Sequence, residues 1–336
     1  MKSVYIVKYG ISSRAFEIRQ VAIPHPKENE VLIKVEAFGL NFADVMARRG
    51  LYRDFPPLPA VPGYDVVGRV ASSSSDFKEG ERVIALTRFG GYAEYVAADS
   101  RAVFRIPETF PTNFAASLAT QYCTAYYACM EASKVYEGEN ILVHAAAGGV
   151  GTALVQLLKL RKAIVIGTCS TQEKVNYLKS LGVDYPINYS SHDYKTEVKR
   201  ILGRKKIDTV YDSLGGKFIR DGMKLLSPGG KMVCFGGAEL GSANNIFSRM
   251  IKIIQFGFYH PGILMMNSKS LIGINMLRIA DHKPEILQHV MKEVISLAEK
   301  KMIVPAGGKD YSITQLAEAH DALESGKTIG KLIVKF

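Results

Sequence analysis

One stretch of the chain, residues 140–151, constrains the fold more than any other. It reads Asn-Ile-Leu-Val-His-Ala-Ala-Ala-Gly-Gly-Val-Gly, so the apolar run 141–143 leads into a turn built mostly of alanine and glycine. Apolar residues then recur at helical spacing up to Leu160, and a second apolar run begins at Ala163. The pattern predicts a buried strand, a glycine turn, a helix and a second strand, which together make one βαβ unit.

A turn of this kind is suited to binding phosphate. Residues without side chains let the backbone approach a pyrophosphate, and the start of the helix presents unpaired N–H groups at the positive end of its dipole. In the Gly-x-Gly-x-x-Gly register, Ala146 takes the first position, Gly148 the second and Gly151 the third. We therefore predict a dinucleotide site here, with a plain tight turn between strand and helix as the alternative.

The end of the second strand bears on which dinucleotide is bound. NAD sites usually place an acidic residue about twenty residues beyond the glycine turn, on the ribose hydroxyls. Here no acid stands at the strand end, whereas Ser170 can donate a hydrogen bond and Lys174 carries a positive charge one turn later. Both suit a 2′-phosphate, although Glu173 argues against it and Ser170 can instead cap the next helix. We predict NADPH as the cofactor.

Length, composition and charge narrow the function classes. A chain of 336 residues has room for two domains, and 47% hydrophobic with 22% charged residues is ordinary for a globular enzyme. The net charge is +11, but the basic residues are scattered and the densest run is only Arg204-Lys205-Lys206. This pattern argues against nucleic-acid binding, and an anionic cofactor accounts for the excess.

Cysteine usage and hydropathy indicate the compartment. The four cysteines show neither a Cys-x-x-Cys pair nor the spacing of a disulfide framework, so we expect reduced thiols. The chain enters a strand directly from Met1 without signal-peptide form, and no run of eighteen apolar residues occurs. We expect a cytoplasmic protein without a transmembrane segment.

Two kinds of pattern divide the chain. Short strand-like runs punctuated by Gly, Pro and Ser fill the first part, up to Pro107. From Asn140 to Gly237, strands and helices alternate, which predicts five or more parallel strands in a doubly wound sheet. Residues 247–266 are unusually apolar for a connection, which fits core packing, an interface or the wall of an apolar substrate pocket.

The motifs together resemble a known family, the zinc-free quinone oxidoreductase branch of the medium-chain dehydrogenase/reductase superfamily. The similarity is closest to vesicle amine transport protein one-like members, and it covers essentially the whole chain. The motifs that carry it are Gly-Leu-Asn-Phe-Ala-Asp at 39–44, the longer stretch 40–59, Pro62-Gly63, the glycine turn at 143–151, Ile187-Asn188-Tyr189 and Gly330-Lys331.

This resemblance implies the fold. The expected class is α/β, with a doubly wound Rossmann domain inserted in a β-rich GroES-like catalytic domain. The catalytic domain would comprise residues 1–115 and 268–336, and the Rossmann domain residues 116–267.

The resemblance also bears on metal binding. Zinc-dependent members of the superfamily ligate the metal with a Cys, a His and a second Cys. The matching positions here are Asn41, Tyr64 and Thr120, none of which is a usual zinc ligand. We expect no metal. Without those ligands alcohol dehydrogenation is disfavoured, whereas quinones and activated alkenes stay reducible because they are already electrophilic.

Individual roles follow from the same resemblance. Asn41 would contact the nicotinamide ribose or the substrate, Tyr52 would donate a hydrogen bond over the pocket, and Asp44 would order the cleft as the third catalytic-site residue. The alternatives are a loop cap for Asn41 and a packed aromatic for Tyr52. Related reductases often carry a tyrosine where this chain has Met46, which argues against direct proton donation. Cofactor contacts are expected from Thr124, Gly148, Gly149, Val150, Gly151, Ser170, Lys174, Tyr189, Phe235, Gly236, Asn275 and Lys331.

The function expected from this resemblance is zinc-independent, NADPH-dependent transfer of hydride to a small apolar electrophile, either a quinone or an activated alkene such as an enone or enal. Two alternatives stay open. One is reduction of 2-enoyl thioesters, and the other is a cofactor-binding module with little turnover that associates peripherally with membranes or lipids. We also expect a homodimer, because an uncovered apolar edge strand near residues 256–276 would invite pairing.

Overall fold

The computed structural model describes residues 1–241, 246–304 and 308–336. It divides the chain into two compact units. Unit 1 consists of Met1–Cys123 and Met276–Phe336, and unit 2 consists of Thr124–Asn275. No helix of the described residues is both long and apolar enough to cross a membrane.

The first segment of unit 1 is rich in strands. Its elements are β1 (Lys2–Ile6), β2 (Phe16–Gln20), β3 (Glu30–Leu40), α1 (Phe42–Arg48), β4 (Asp65–Val70), β5 (Arg82–Leu86), β6 (Tyr95–Asp99), β7 (Val103–Arg105) and α2 (Thr112–Ser117), with 3₁₀ turns at Ser12–Arg14 and Ser100–Ala102. The helical path continues through a π-helical turn, Leu118–Tyr122, which leads to the end of the segment.

In unit 2, strands and helices alternate. Its elements are α3 (Cys123–Tyr126), a π-helical turn (Tyr127–Ala132), β8 (Asn140–Val143), α4 (Gly149–Leu160), β9 (Ile164–Cys169), α5 (Gln172–Ser180), β10 (Tyr185–Asn188), α6 (Tyr194–Leu202), β11 (Ile207–Asp212), α7 (Lys217–Leu225), β12 (Leu226–Cys234), α8 (Ala238–Gly241), α9 (Ile246–Gln255), α10 (Pro261–Met266) and β13 (Ser270–Gly273).

The return segment completes unit 1. Its elements are α11 (Met276–His282), α12 (Pro284–Glu299), β14 (Asp310–Ser312), a 3₁₀ turn (Ile313–Gln315), α13 (Leu316–Glu324) and β15 (Leu332–Lys335). Strand β15 pairs antiparallel with β3, so the end of the chain is built into the same sheet as its beginning.

The main sheet of unit 1 is organised around β3. The order is β14-β15-β3-β4-β5-β7, and β6 also pairs with β3. Val31 and Ile33 alternate into the core as the sequence pattern predicts, because successive side chains of a strand point to opposite faces. The register against β4 then shifts between Val35 and Ala37, which is a β-bulge. The strand continues buried to Leu40 and passes directly into the loop residue Asn41.

The sheet of unit 2 has the order β10-β9-β8-β11-β12-β13, and every neighbouring pair is parallel. All four residues of β8 are buried, as a strand covered on both faces requires. The order reverses direction between β8 and β11, which is the switch point where ligands bind in sheets of this kind. The predicted α/β class, with a doubly wound domain inserted in a β-rich one, is confirmed.

The two divisions between the compact units lie beyond the predicted domain boundaries. Each lies eight residues further along the chain, at 123 rather than 115 and at 275 rather than 267. At the first boundary, helical structure runs through residues 112–132 without a break, so the sequence offers no punctuation there. At the second boundary, β13 pairs in parallel with β12 and therefore belongs to the doubly wound sheet.

The apolar segment 247–266 folds as parts of helices α9 and α10 and the turn between them. Several of its large side chains are strongly exposed, with Phe247 at 71%, Phe258 at 88% and Met266 at 83% of their full accessible surface, whereas Phe256, Tyr259 and Leu264 pack against the core of unit 2. Core packing is therefore the wrong interpretation for the three exposed side chains. An exposed apolar surface of this extent is typical of an interaction site.

Two buried histidines make the fold sensitive to acid. His144 and His320 are 1% and 0% exposed, and burial lowers the pKa of each to about 3. His144 Nδ1 lies 3.1 Å from Thr168 Oγ1, and His320 Nε2 lies 3.1 Å from the Tyr92 hydroxyl. Both rings are thus held neutral in the folded state, within cores of different units.

We predict that the contribution of these two histidines to the free energy of unfolding falls as the pH drops from 6.5 toward 3, whereas the raised pKa values of the buried carboxyls Asp44 and Asp212 act in the opposite direction over part of this window. In that window the unfolded histidines bind protons that the folded ones exclude, at about 1.4 kcal/mol per pH unit for each histidine. Urea unfolding at pH 8 and pH 5 measures the effect. His320→Gln should remove one histidine's share of this loss, so the change in its free energy of unfolding from pH 8 to pH 5 should be more favourable than in the wild type. His25→Gln, at an exposed position, should behave like the wild type. An unchanged pH dependence in His320→Gln would contradict the assignment.

Candidate functional site

In unit 2, most of the predicted cofactor residues follow the carboxyl ends of parallel strands. Because the strands are parallel, these ends lie along one edge of the sheet, at the place where α/β sheets bind nucleotides. The glycine turn follows β8, Ser170 follows β9, Tyr189 follows β10, Phe235 and Gly236 follow β12, and Asn275 lies two residues beyond β13. Residues distant in sequence are thereby brought to one edge.

The glycine turn is tightly folded against the start of α4. Ala145 adopts a positive φ of 50°, and Gly148 stands at the N-cap with φ −77° and ψ 175°. A Cβ atom at Gly151 would lie 2.4 Å from the Ala145 carbonyl oxygen and 2.7 Å from Ala146 Cα, so no side chain fits there. The first turn of α4 carries no acidic residue, and Gly149 and Val150 are partly exposed, which leaves this helix end suited to an anion.

The end of β9 separates two interpretations of Ser170. Thr171, not Ser170, caps α5, because the Thr171 hydroxyl accepts a hydrogen bond from the Lys174 N–H at 3.3 Å. The capping interpretation of Ser170 is therefore wrong, and its partly exposed side chain stays a candidate ligand group. Lys174 lies in the first turn of α5 and is 6% exposed. Burial lowers the pKa of its ammonium, while Cys169 and Glu173 act in the opposite direction.

The remaining predicted contacts of unit 2 lie in several environments. Tyr189 is partly buried, and its N–H donates to the Cys169 carbonyl at 3.0 Å. Gly236 lies against the end of β11, where a Cβ would come within 2.6 Å of the Ser213 carbonyl oxygen. Thr124 is buried within α3, whereas Asn275 is exposed.

Asp212 is a polar residue of this edge that sequence reasoning missed. It ends β11 and is fully buried, and its carboxylate accepts hydrogen bonds from the N–H groups of Leu214 at 3.2 Å and Gly215 at 2.7 Å. Burial raises the pKa of Asp212 to about 6, although these two hydrogen bonds act to lower it. The signal was an acid at the end of an apolar strand, directly before Ser-Leu-Gly-Gly.

In unit 1, Asn41 and Asp44 begin α1. The Asn41 N–H donates to Asp44 Oδ2 at 2.8 Å, and the Gly63 N–H donates to Asp44 Oδ1 at 3.2 Å. The carboxyl is completely buried, and this burial is the main cause that raises its pKa to about 7. Asp44 thus joins two loops of unit 1, an arrangement that suits an ordering role.

A buried ionic cluster surrounds the Asn41 side chain. Asn41 Nδ2 donates to Asp65 Oδ2 at 2.8 Å, and Lys331 Nζ donates to Asn41 Oδ1 at 2.8 Å and to Asp65 Oδ2 at 2.7 Å. The Thr120 hydroxyl donates to the same carboxylate oxygen. Although Asn41 stands at the N-cap position of α1, its amide is therefore engaged by charged groups.

Lys331, which the sequence predicts as a cofactor contact, lies in a buried ion pair of unit 1. It is 1% exposed, and its ammonium forms an ion pair with Asp65 in which both side chains are 0% exposed. The charge of Lys331 is therefore compensated inside unit 1. Asp65 was missed altogether, although an acid that opens the apolar run Val66-Val67 was a visible signal.

Tyr52 is placed among aromatic side chains. Its ring packs edge-on against Tyr64, with centroids 5.8 Å apart, and it borders an apolar cluster that includes Phe55. Burial is the main cause that raises the pKa of the Tyr52 phenol, so the hydroxyl stays a hydrogen-bond donor at neutral pH. The packed-aromatic and donor interpretations are both compatible with this geometry.

The residues at the positions of the zinc ligands do not fit zinc. Asn41, Tyr64 and Thr120 supply no thiolate or imidazole, and a lysine ammonium lies in the cluster instead. Within residues 1–241, 246–304 and 308–336, no group of three or more His, Cys, Asp or Glu side chains is arranged to hold a metal ion.

Comparisons with known proteins agree with this architecture. The family description "Alcohol dehydrogenase GroES-like domain" matches residues 27–108, and "Zinc-binding dehydrogenase" matches residues 149–299. The chain is 34% identical over 331 residues to the synaptic vesicle membrane protein VAT-1 homolog of Homo sapiens, covering 97% of this chain and 84% of that protein. It is 31% identical over 340 residues to the quinone oxidoreductase of Homo sapiens, covering 99% and 97%.

A solved structure extends the comparison. The quinone oxidoreductase of Escherichia coli, crystallised in complex with NADPH, superimposes with a TM-score of 0.87 at 27% identity and covers 100% of both chains. A GroES-like unit with an inserted Rossmann unit of the nucleotide-binding type is the architecture of the medium-chain dehydrogenases/reductases. The chain belongs to this superfamily of oxidoreductases, in its quinone oxidoreductase-like branch.

Proposed function

We propose that the protein is a zinc-independent, NADPH-dependent reductase that transfers hydride to quinones or to activated alkenes such as enones and enals. The observation that carries the proposal is the end of β9, where Ser170 and Lys174 stand and no acid takes the place of a ribose ligand. The E. coli relative crystallised with NADPH is a quinone oxidoreductase, which supports both the cofactor and the acceptor class.

The residues of unit 2 would bind and orient the cofactor. The glycine turn allows the pyrophosphate to approach the start of α4, and Lys174 supplies a cation for the 2′-phosphate. An ammonium that burial has already partly desolvated gains more from an incoming anion than an exposed one does. NADPH, when bound, supplies the hydride.

The residues of unit 1 would orient the acceptor. Asn41 offers an amide and Tyr52 a phenol that remains protonated at neutral pH, so both can donate a hydrogen bond without giving up a proton. The cluster around Asn41 holds no Lewis-acid ligand set, and an acceptor that is electrophilic on its own suits such a site. Orientation in a dry site is then the main contribution of the protein.

Two other functions are distinguished by one panel of substrates. A 2-enoyl thioester reductase would turn over acyl-CoA substrates, and a cofactor-binding module would bind NADPH without turnover. Two observations speak for the cofactor-binding module: the exposed apolar side chains of residues 247–266, and the similarity to a vesicle membrane protein. Purified protein with NADPH should be tested with quinones, enals, enoyl-CoA and lipid vesicles in turn. Vesicle binding without oxidation of NADPH would favour the module.

The first prediction from this proposal concerns cofactor choice. Lys174→Ala should raise the dissociation constant of NADPH tenfold or more, because a charge-assisted phosphate contact is typically worth about 1.5–3 kcal/mol. The dissociation constant of NADH should barely change. Fluorescence titration measures both. Lys179→Ala, an exposed lysine on the same helix, is the control. An equal loss for the two cofactors would refute the 2′-phosphate contact.

The second prediction concerns turnover. Asn41→Ala and Tyr52→Phe should each lower kcat roughly tenfold, because one positioning hydrogen bond contributes about 1–2 kcal/mol. Steady-state kinetics with a quinone and with an enone measure this. A thousandfold loss in either variant at unchanged NADPH affinity would instead indicate obligatory acid catalysis.

The third prediction concerns assembly. Strand β13 forms one edge of the unit 2 sheet, and Leu271 on it is 39% exposed. Helix α10, shortly before it in the chain, carries the exposed side chains Ile263, Met265 and Met266. Pairing of this edge with a second copy would bury apolar surface. Light scattering should give twice the chain mass of 36.9 kDa, and Leu271→Lys should shift the mass toward the monomer. A monomer at micromolar concentration in the wild type would exclude the dimer.

A further inference from the structure

The ionic cluster of unit 1 determines which way the Asn41 amide faces. Its Nδ2 donates to Asp65 Oδ2, and its Oδ1 accepts from Lys331 Nζ, both at 2.8 Å. Rotating the amide by half a turn would set its oxygen against the carboxylate and its N–H groups against the ammonium. Because the two ionic groups are buried, this arrangement is strongly unfavourable, and one orientation remains.

This orientation limits what Asn41 can offer to a ligand. A side-chain amide has two N–H donors and two acceptor lone pairs. Asp65 uses one donor and Lys331 accounts for the acceptor side, so one N–H remains on a side chain that is 8% exposed. The direction of this N–H is set by the ion pair.

The backbone of unit 1 is shaped to hold the ion pair. A Cβ atom at Gly39 would lie 1.9 Å from Asp65 Oδ1 and 2.2 Å from Lys331 Cε, so the pair fills the space that a side chain would need. The Thr120 hydroxyl also donates to Asp65. The backbone of strand β3 at Gly39 therefore bounds the ion pair on one side, and Thr120, on the helical path after α2, contacts it on another.

We propose that Lys331 is a positioning residue that acts through Asn41. Its ammonium is a fixed cation of unit 1, in a cluster whose residues do not fit a zinc ion, and it holds the Asn41 amide with one donor available to a ligand. The consequence for turnover rests on the proposed reductase function. The orientation of the amide does not depend on it.

A double-mutant cycle tests whether Lys331 acts through Asn41. Lys331→Met should lower kcat about tenfold in the wild-type background and less than about twofold in the Asn41→Ala background, because the second change has nothing left to orient. The NADPH dissociation constant should be unchanged in all variants. Losses that multiply would overturn the proposal.

The second measurement is independent of turnover. With ¹⁵N-labelled asparagine, the Asn41 side-chain resonances are assigned by their loss in Asn41→Ala. They should exchange slowly with solvent in the wild type and lose this protection in Lys331→Met. The matched control is Lys335→Met. Lys335 ends β15, four residues after Lys331, and its ion pair with Asp310 is exposed, so this change should affect neither kcat nor the exchange of the Asn41 resonances.

Two provisions keep the test decisive. If Lys331→Met does not fold, Lys331→Met with Asp65→Leu removes both buried charges, an exchange that proteins often tolerate. A folded double variant with wild-type kcat and protected Asn41 resonances would overturn the proposal. If no acceptor is reduced at all, the reductase function fails, and the Asn41 resonances alone decide whether Lys331 positions the amide.

Discussion

The parallel pairing of β8 with both β9 and β11 is the constraint on which unit 2 depends. It sets the carboxyl ends of the strands side by side, so that loops from positions as distant as 148 and 236 reach one edge. Gly151 packs closely against the backbone of the turn, so α4 can begin right after the end of β8. The N–H groups at the start of the helix are therefore presented at that edge. Any side chain at 151 would push the helix away from the strand.

The glycine turn of unit 2 and the elements around it could be predicted from the sequence, because the residues that form them are contiguous. The apolar run, the turn and the helix occupy contiguous residues, and each has its own period or composition. Helix α4 ends at Leu160, where the helical spacing ends, and β9 begins at Ile164, one residue after the start of the second apolar run. The position of Lys174 in the first turn of α5 followed from the same reading.

The ionic cluster of unit 1 could not be predicted in the same way, because its interactions join distant residues. Lys331 and Asp65 lie 266 positions apart, and no periodicity links them. The motif Gly330-Lys331 is visible in the sequence, but the pairing of its ammonium with Asp65 is visible only in the fold. Segment 247–266 was ambiguous for a related reason: apolar composition does not distinguish a buried helix from one whose side chains face a partner.

The placement of β15 has a consequence for how the chain reaches its native state. Asp65 is synthesised early, whereas the ammonium that compensates it arrives only with residue 331, after the whole of unit 2. A nascent unit 1 that closed around Asp65 before then would bury a lone carboxylate, which is costly. Unit 2 is contiguous and can fold as soon as it emerges. Electrostatics therefore favours an order of assembly in which unit 2 folds first and unit 1 closes last.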